Sequence, residues 1–131
     1  MFVDASALTG IMANESDAEV LRHKLRAGKL LHVSGIVIYE TVLELLRIKV
    51  KSRAEALHEV NAFVELNAIK CIDISQDLSE LALEAFERFG KGSHPARLNM
   101  GDCYSYACAK QLKLPLLFKG NDFSKTDILK A

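Results

Sequence analysis

Residues 99–122, NMGDCYSYACAKQLKLPLLFKGND, contain a helix, a strand and a turn in immediate succession. Asn99 is a favourable N-cap, so a helix is expected from Met100 to about Leu112. Pro115 cannot continue it, and Leu116 to Phe118 is then an apolar run of strand length. Gly120-Asn121 turns the chain straight afterwards. A strand this short, apolar on both sides of its pleat, suits a parallel sheet covered on two faces.

The rest of the chain repeats the alternation. Phe2-Val3-Asp4 opens as a strand, and Ser6 can cap a short helix through Ala13. Asn14 with Asp17 reads as a capping box for a helix to Ala27, with Gly28 as its stop. Leu30 to Val33 is the second strand, and Ser34-Gly35 opens a long helix from about Ile36 to Val50. Ser52 with Glu55 is another capping box, heading a helix with Leu57, Val60, Phe63 and Val64 at helical spacing. Ala68 to Ile74 is a third strand, Asp77 to Phe89 a helix, and Gly90 to Leu98 a loop with two glycines and Pro95. A weak fifth strand is expected near Thr126 to Leu129. The pattern predicts an α/β sandwich with a mostly parallel sheet of four to five strands, and residues 1–131 as one domain.

Composition narrows the classes of function. Half of the 131 residues are hydrophobic, and 17 basic residues balance 17 acidic ones. A formal net charge of zero excludes nucleic-acid binding by bulk basicity, and the apolar content excludes an acidic disordered tail. Cys71, Cys103 and Cys108 are odd in number and lack zinc-site spacing, so reduced thiols acting as small core hydrophobes, in a cytoplasmic compartment, are expected. MFVDASAL has no basic n-region and no long apolar run follows, which predicts neither a signal peptide nor a membrane span.

Open parallel sheets bind ligands beyond the carboxyl ends of their strands. Four acids are expected there: Asp4 ends the first strand, Glu40 lies in the long helix after the second, Asp102 opens the helix leading into the fourth, and Asp122 follows that strand. Each also has a plain structural explanation. Asp102 can complete a capping box with Asn99, Asp122 can be a turn residue, and Glu40 shares a stripe with Glu44 and Arg47. Asp4 is the hardest to explain so, because it directly follows two residues expected to be buried.

Two carboxylates about 4 Å apart repel by roughly 4 kcal/mol at an effective dielectric of 20, so four together require protons or a cation. All-oxygen ligation selects Mg²⁺ or Mn²⁺ over zinc, and an ion that activates water favours phosphodiester hydrolysis. Ser6 and Asn121 are neutral neighbours suited to supporting such a site or, equally, to capping and turn roles. Lys91, His94 and Arg97, in the loop before Asp102, either contact substrate phosphates near the metal site or form a solvated loop. Tyr104 and Tyr106 are expected in the core, with base stacking as the alternative.

The segments FVDASAL, IxxYE ending at Glu40, LNMGDCYSYACAK and LLFKGNDF, with the GKGSHPARLN loop, resemble the PIN domain, and more narrowly the VapC toxins of VapBC toxin–antitoxin modules. The resemblance spans nearly the whole chain. It implies a PIN-like three-layer α/β/α sandwich and a Mg²⁺- or Mn²⁺-dependent endoribonuclease in which activated water leaves a 5′-phosphate and a 3′-hydroxyl. It carries the catalytic and metal-holding roles onto Asp4, Glu40, Asp102 and Asp122, with Ser6 and Asn121 in support. It also implies a homodimer and a cognate VapB-type antitoxin as partner. Ala5 stands where threonine is common and Cys108 where an aliphatic is common; neither belongs to the acidic set.

Two other readings compete. A receiver-like phospho-acceptor domain would need an acid beside Asp4, an acceptor at Asp73 and a lysine after a fifth strand, whereas Lys119 follows the fourth. An inactive PIN scaffold that only binds RNA or a partner would not need all four acids.

Overall fold

The computed structural model describes residues 1–48 and 51–131. Its strands are β1 (Phe2–Val3), β2 (His32–Ser34), β3 (Lys70–Ile72) and β4 (Leu116–Leu117). They form one parallel sheet in the order β3-β2-β1-β4. Six helices connect them: α1 (Ala5–Met12), α2 (Ala18–Ala27), α3 (Gly35–Ile48), α4 (Arg53–Leu66), α5 (Gln76–Phe89) and α6 (Met100–Leu112). Right-handed crossovers place α1 to α4 on one face and α5 and α6 on the other. Most packed helix pairs agree: α1 meets α2 and α3, α3 meets α4, and α5 meets α6, while α3 also touches α6, where Glu40 reaches Gly101. This is the expected three-layer sandwich, with Phe2, Val3, Leu116 and Leu117 of the central strands almost wholly buried between the layers.

The local signals held where a side chain could reach a free backbone amide. Ser52 with Glu55 and Asn99 with Asp102 both form full capping boxes. Asn14 does not cap α2. It sits at φ 55°, and Asp17 takes the cap position without a side-chain bond. Gly28 ends α2 in extended conformation rather than the left-handed one, because the chain runs on toward β2. Strand β2 starts at His32, two residues later than expected, and the expected end of α3 at Val50 lies outside the described residues. Cys103 and Cys108 are buried, whereas Cys71 is exposed because β3 is the edge strand. No described helix is long and apolar enough to cross a membrane.

The expected fifth strand is a single bridge between Leu116 and Lys130. Side chains fasten this tail instead. Asp127 accepts from Tyr106 Oη at 2.5 Å and pairs with Arg88 and Lys110, each at 3.2 Å, so one carboxylate ties the tail to α5 and α6. Those bonds, the tyrosine first, hold its pKa down to about 2, below the ordinary 3.8. Its stabilisation is therefore present above about pH 4 and lost as pH falls through 2. The carboxylate is half exposed, so solvent screening reduces this to about 1 kcal/mol. Asp127→Ala is expected to lower urea-denaturation stability by that amount at pH 7, with the difference shrinking as the pH approaches 2.

Candidate active site

Connections leave β1 toward β2 on one side, while β4 closes on its other side, so the topological switch lies between β1 and β4. Asp4 stands at that point. Its amide donates to Leu117 O at 2.9 Å, and its side chain caps α1 by accepting from Ser6 N at 2.9 Å. Ser6 Oγ adds a 2.5 Å bond to the same Asp4 Oδ2 and accepts from Lys119 N at 3.0 Å. The cap belongs to Asp4 and not, as expected, to Ser6, because Asp4 has the extended backbone that a cap requires (φ −78°, ψ 156°) while Ser6 is already helical. Asp4 is only 3% exposed, yet it lines a cavity of about 490 Å³.

Asp102 and Glu40 line the same cavity from two other elements. Asp102 is fixed by the box that starts α6: its amide donates to Asn99 Oδ1 at 3.0 Å, and its Oδ2 accepts from Asn99 N at 2.9 Å. Glu40 reaches across from α3 onto the first turn of α6. A β-carbon on Gly101 would collide with both of its carboxylate oxygens, so the bare glycine makes room for the acid.

The electrostatics follow from this crowding. Burial first, then the charges of Asp4, Asp102 and Glu44, push Glu40 up from 4.5 to about 7. Burial likewise raises Asp102 from 3.8 to about 6, helped by Asp4 and Asp122 and opposed by the bond from the Asn99 amide. These are the signatures of acids that lack a positive partner. The lining offers carboxylate, amide and hydroxyl oxygens with no histidine or cysteine, a donor set that fits a hard divalent cation. Among the described residues no three His, Cys, Asp or Glu side chains are gathered into a ready-made ligand cluster. Thr9 Oγ1, buried in the same wall, has no hydrogen-bond partner.

The other expected residues are placed differently. Asp122 and Asn121 are exposed and do not line the cavity, and Asp122 reaches it only through its charge on Asp102. Lys91 and Arg97 are exposed and also outside the lining. His94 secures its own loop: its ring packs edge-on to Phe89 at 5.2 Å, and Nδ1 accepts from Ala96 N at 3.1 Å. Glu44 pairs with Arg47 at 2.8 Å while still facing the cavity. Tyr104 Oη donates to Ser79, and Tyr106 is buried. Asp73 follows the edge strand β3, two strands from β1, which removes the phospho-acceptor reading.

Three lining residues were not singled out as site candidates from sequence: Thr9, Glu15 and Lys119. Thr9 lies inside α1, and Glu15 is in the turn misread as a capping box. For Lys119 a signal existed, namely a cation just past a central parallel strand.

Comparison with known proteins gives the family. The family model of the PIN domain matches residues 1–129. A VapC ribonuclease of Rhizobium meliloti is 38% identical, over 97% of this chain and 98% of its own. Ribonuclease VapC42 of Mycobacterium tuberculosis is 37% identical, over 100% of this chain and 98% of its own. In fold, the chain is similar to the crystal structure of Mycobacterium tuberculosis VapC20, a sarcin-ricin-loop-cleaving toxin. The TM-score is 0.77 at 18% identity, covering 99% of this chain and 97% of that one. It is also similar in fold to a chain of a toxin–antitoxin complex from Klebsiella pneumoniae, with a TM-score of 0.71 at 17% identity, covering 99% and 95%. With three acids at the sheet's switch point and full-length likeness to curated ribonucleases, the chain belongs to the PIN-domain family and, within it, to the VapC ribonucleases.

Proposed function

We propose that the acidic cavity is where this endoribonuclease hydrolyses RNA phosphodiesters, with Mg²⁺ or Mn²⁺ held by Asp4, Glu40, Asp102 and, from its rim, Asp122. One observation carries the reading: carboxylates from three separate elements share one cavity, where burial and then the charge of Asp4 raise the pKa of both Glu40 and Asp102. Such a set binds a divalent cation in place of protons.

Each residue has a task. Ser6 fixes Asp4 by two bonds to one oxygen, leaving its other oxygen for a ligand. The α6 capping box does the same for Asp102. Gly101 admits the Glu40 carboxylate, which accepts a hydrogen bond from the attacking water and sets its direction. Asn121 stands beside Asp122, exposed and outside the lining. A divalent cation, when bound, neutralises the developing charge and makes water a better nucleophile. Among the described residues no histidine pair lines the cavity, and water is the nucleophile of this reading. Water attack leaves a 5′-phosphate and a 3′-hydroxyl. Lys91, His94 and Arg97 are read as contacts to RNA farther from the cavity.

The wider setting is read the same way: residues 1–131 as one domain, a toxin working in the cytoplasm against RNA, and a cognate VapB-type antitoxin that covers the site. The Klebsiella pneumoniae neighbour is a toxin–antitoxin complex, which supports the antitoxin. The homodimer has a candidate surface in exposed apolar side chains that line one shallow cavity, Leu83 and Phe86 on α5 with Met100 on α6.

Excess EDTA or Asp4→Asn is expected to lower cleavage of total RNA at least 100-fold, with 5′-phosphate ends mapped by ligation. Cleavage that persists in EDTA, or 2′,3′-cyclic phosphate ends, refutes the mechanism. A folded protein that binds RNA and cuts none is the scaffold reading instead.

The raised acids set a pH dependence. Because the folded pKa values of Glu40 and Asp102, about 7 and 6, exceed the ordinary carboxylate values, their contribution is fully present below about pH 4. It is lost as pH rises through 6 and 7. Cation-free protein is expected to lose about 2 kcal/mol between pH 5 and 8, after allowance for partial solvent screening. Thermal melts should show Mn²⁺ restoring more stability at pH 8 than at pH 5.

Gly101→Ala should separate activity from stability. The flexible Glu40 carboxylate can swing away from the new methyl group, and alanine favours the helix by up to about 1 kcal/mol. Cleavage is expected to fall at least tenfold while the melting temperature stays level or rises.

A further inference from the structure

Among the described residues, Lys119 is the one cation in the cavity lining, against five carboxylates: Asp4, Glu15, Glu40, Glu44 and Asp102. A polyanion must approach that wall, so the placement of its single ammonium matters. Two features fix the lysine relative to the acids. Its amide donates to Ser6 Oγ, which donates in turn to Asp4 Oδ2, so its backbone stands two hydrogen bonds from the switch-point acid. Its Nζ is held by Glu15 and lies 3.4 Å from Asp17 Oδ1. The side chain is one-third exposed, so a ligand oxygen can reach the ammonium from the cavity. Its stem passes the bare backbone of Gly10, where an added β-carbon would lie 3.6 Å from Lys119 Cδ.

We infer that Lys119 contacts the RNA: its ammonium binds a phosphate oxygen of the backbone at the cavity, and Glu15 and Asp17 hold it at the wall until RNA arrives. This rests on the ribonuclease reading above and names a substrate contact within it. The ion pairs with Glu15 and Asp17 keep the amine charged. They also withhold it from solvent anions, because free phosphate must compete with two carboxylates while an RNA strand brings several phosphates at once. The contact is to the backbone, so it lends affinity without base preference.

The test uses the full chain and fluorescein-labelled oligouridylate, with Ca²⁺ as the divalent cation and anisotropy measured over a KCl series. Lys119→Met keeps the stem and removes the charge. It is expected to weaken binding about tenfold and to reduce the slope of log K against log salt by about 0.7, the value for one phosphate on a single strand. Lys119→Arg should retain most of the affinity, and Lys24→Met, with the same change in net charge on α2, should leave the slope unchanged. Glu15→Gln combined with Asp17→Asn is expected to tighten binding, because the ammonium no longer leaves two partners. A loss equal to that of Lys119→Met would make the lysine a structural staple and overturn the inference. An unchanged slope in Lys119→Met would also overturn it, and if that variant does not fold, the double acid variant decides alone. Wild type that binds no oligouridylate overturns the contact as stated, whereas its cleavage of total RNA would leave the ribonuclease reading standing. Failure of wild type to cleave any RNA refutes that reading instead.

Discussion

Like charges are placed together in this molecule against their mutual repulsion. Asp4, Glu40 and Asp102 come from the end of β1, the second turn of α3 and the first turn of α6, and all three face one cavity. Like charges facing one cavity repel, so the carboxylates would part if their backbones allowed it. Their backbones do not. β1 is the buried centre of the sheet, α3 packs on both α1 and α4, and the start of α6 is fixed by its capping box. The sandwich supplies the constraint, and the raised pKa values of Glu40 and Asp102 are its measurable consequence.

Two of the acids show that capping and site chemistry are not alternatives. Asp4 caps α1 and Asp102 completes the box of α6, the structural roles that seemed to compete with function when only the sequence was considered. Each carboxylate has two oxygens. One is held by a backbone amide and fixes the side chain, which leaves the other for a ligand. A helix start is thus a convenient mount for an acid that must hold its place near others.

This explains what could be read in advance. The alternation of short apolar runs with helical periodicity was enough for the sandwich, because burial on two faces leaves a strong local imprint. Ser52 with Glu55 and Asn99 with Asp102 were legible because capping boxes are three-residue events. The misreadings share a cause. Asn14 with Asp17 has the spacing of a box but a left-handed backbone at Asn14, and Thr126 to Leu129 has the composition of a strand but only one bridge. Both outcomes depend on where distant chain lies. The roles of Asp4, Glu40, Asp102 and Asp122 came from resemblance and from topology together. Asp122 is the case in which proximity in sequence to a strand end did not place a residue in the cavity wall.

The balanced charge total takes on a different meaning in this light. A neutral protein can still carry a strongly negative cavity, and here the wall holds five acids and one lysine. Such a cavity selects cations first and would reject a phosphodiester by itself. Substrate binding must therefore come after, or with, neutralisation, and the order is set by Coulomb's law rather than by shape. An occupant that brings its own positive charge to this wall meets the same demand without being cut.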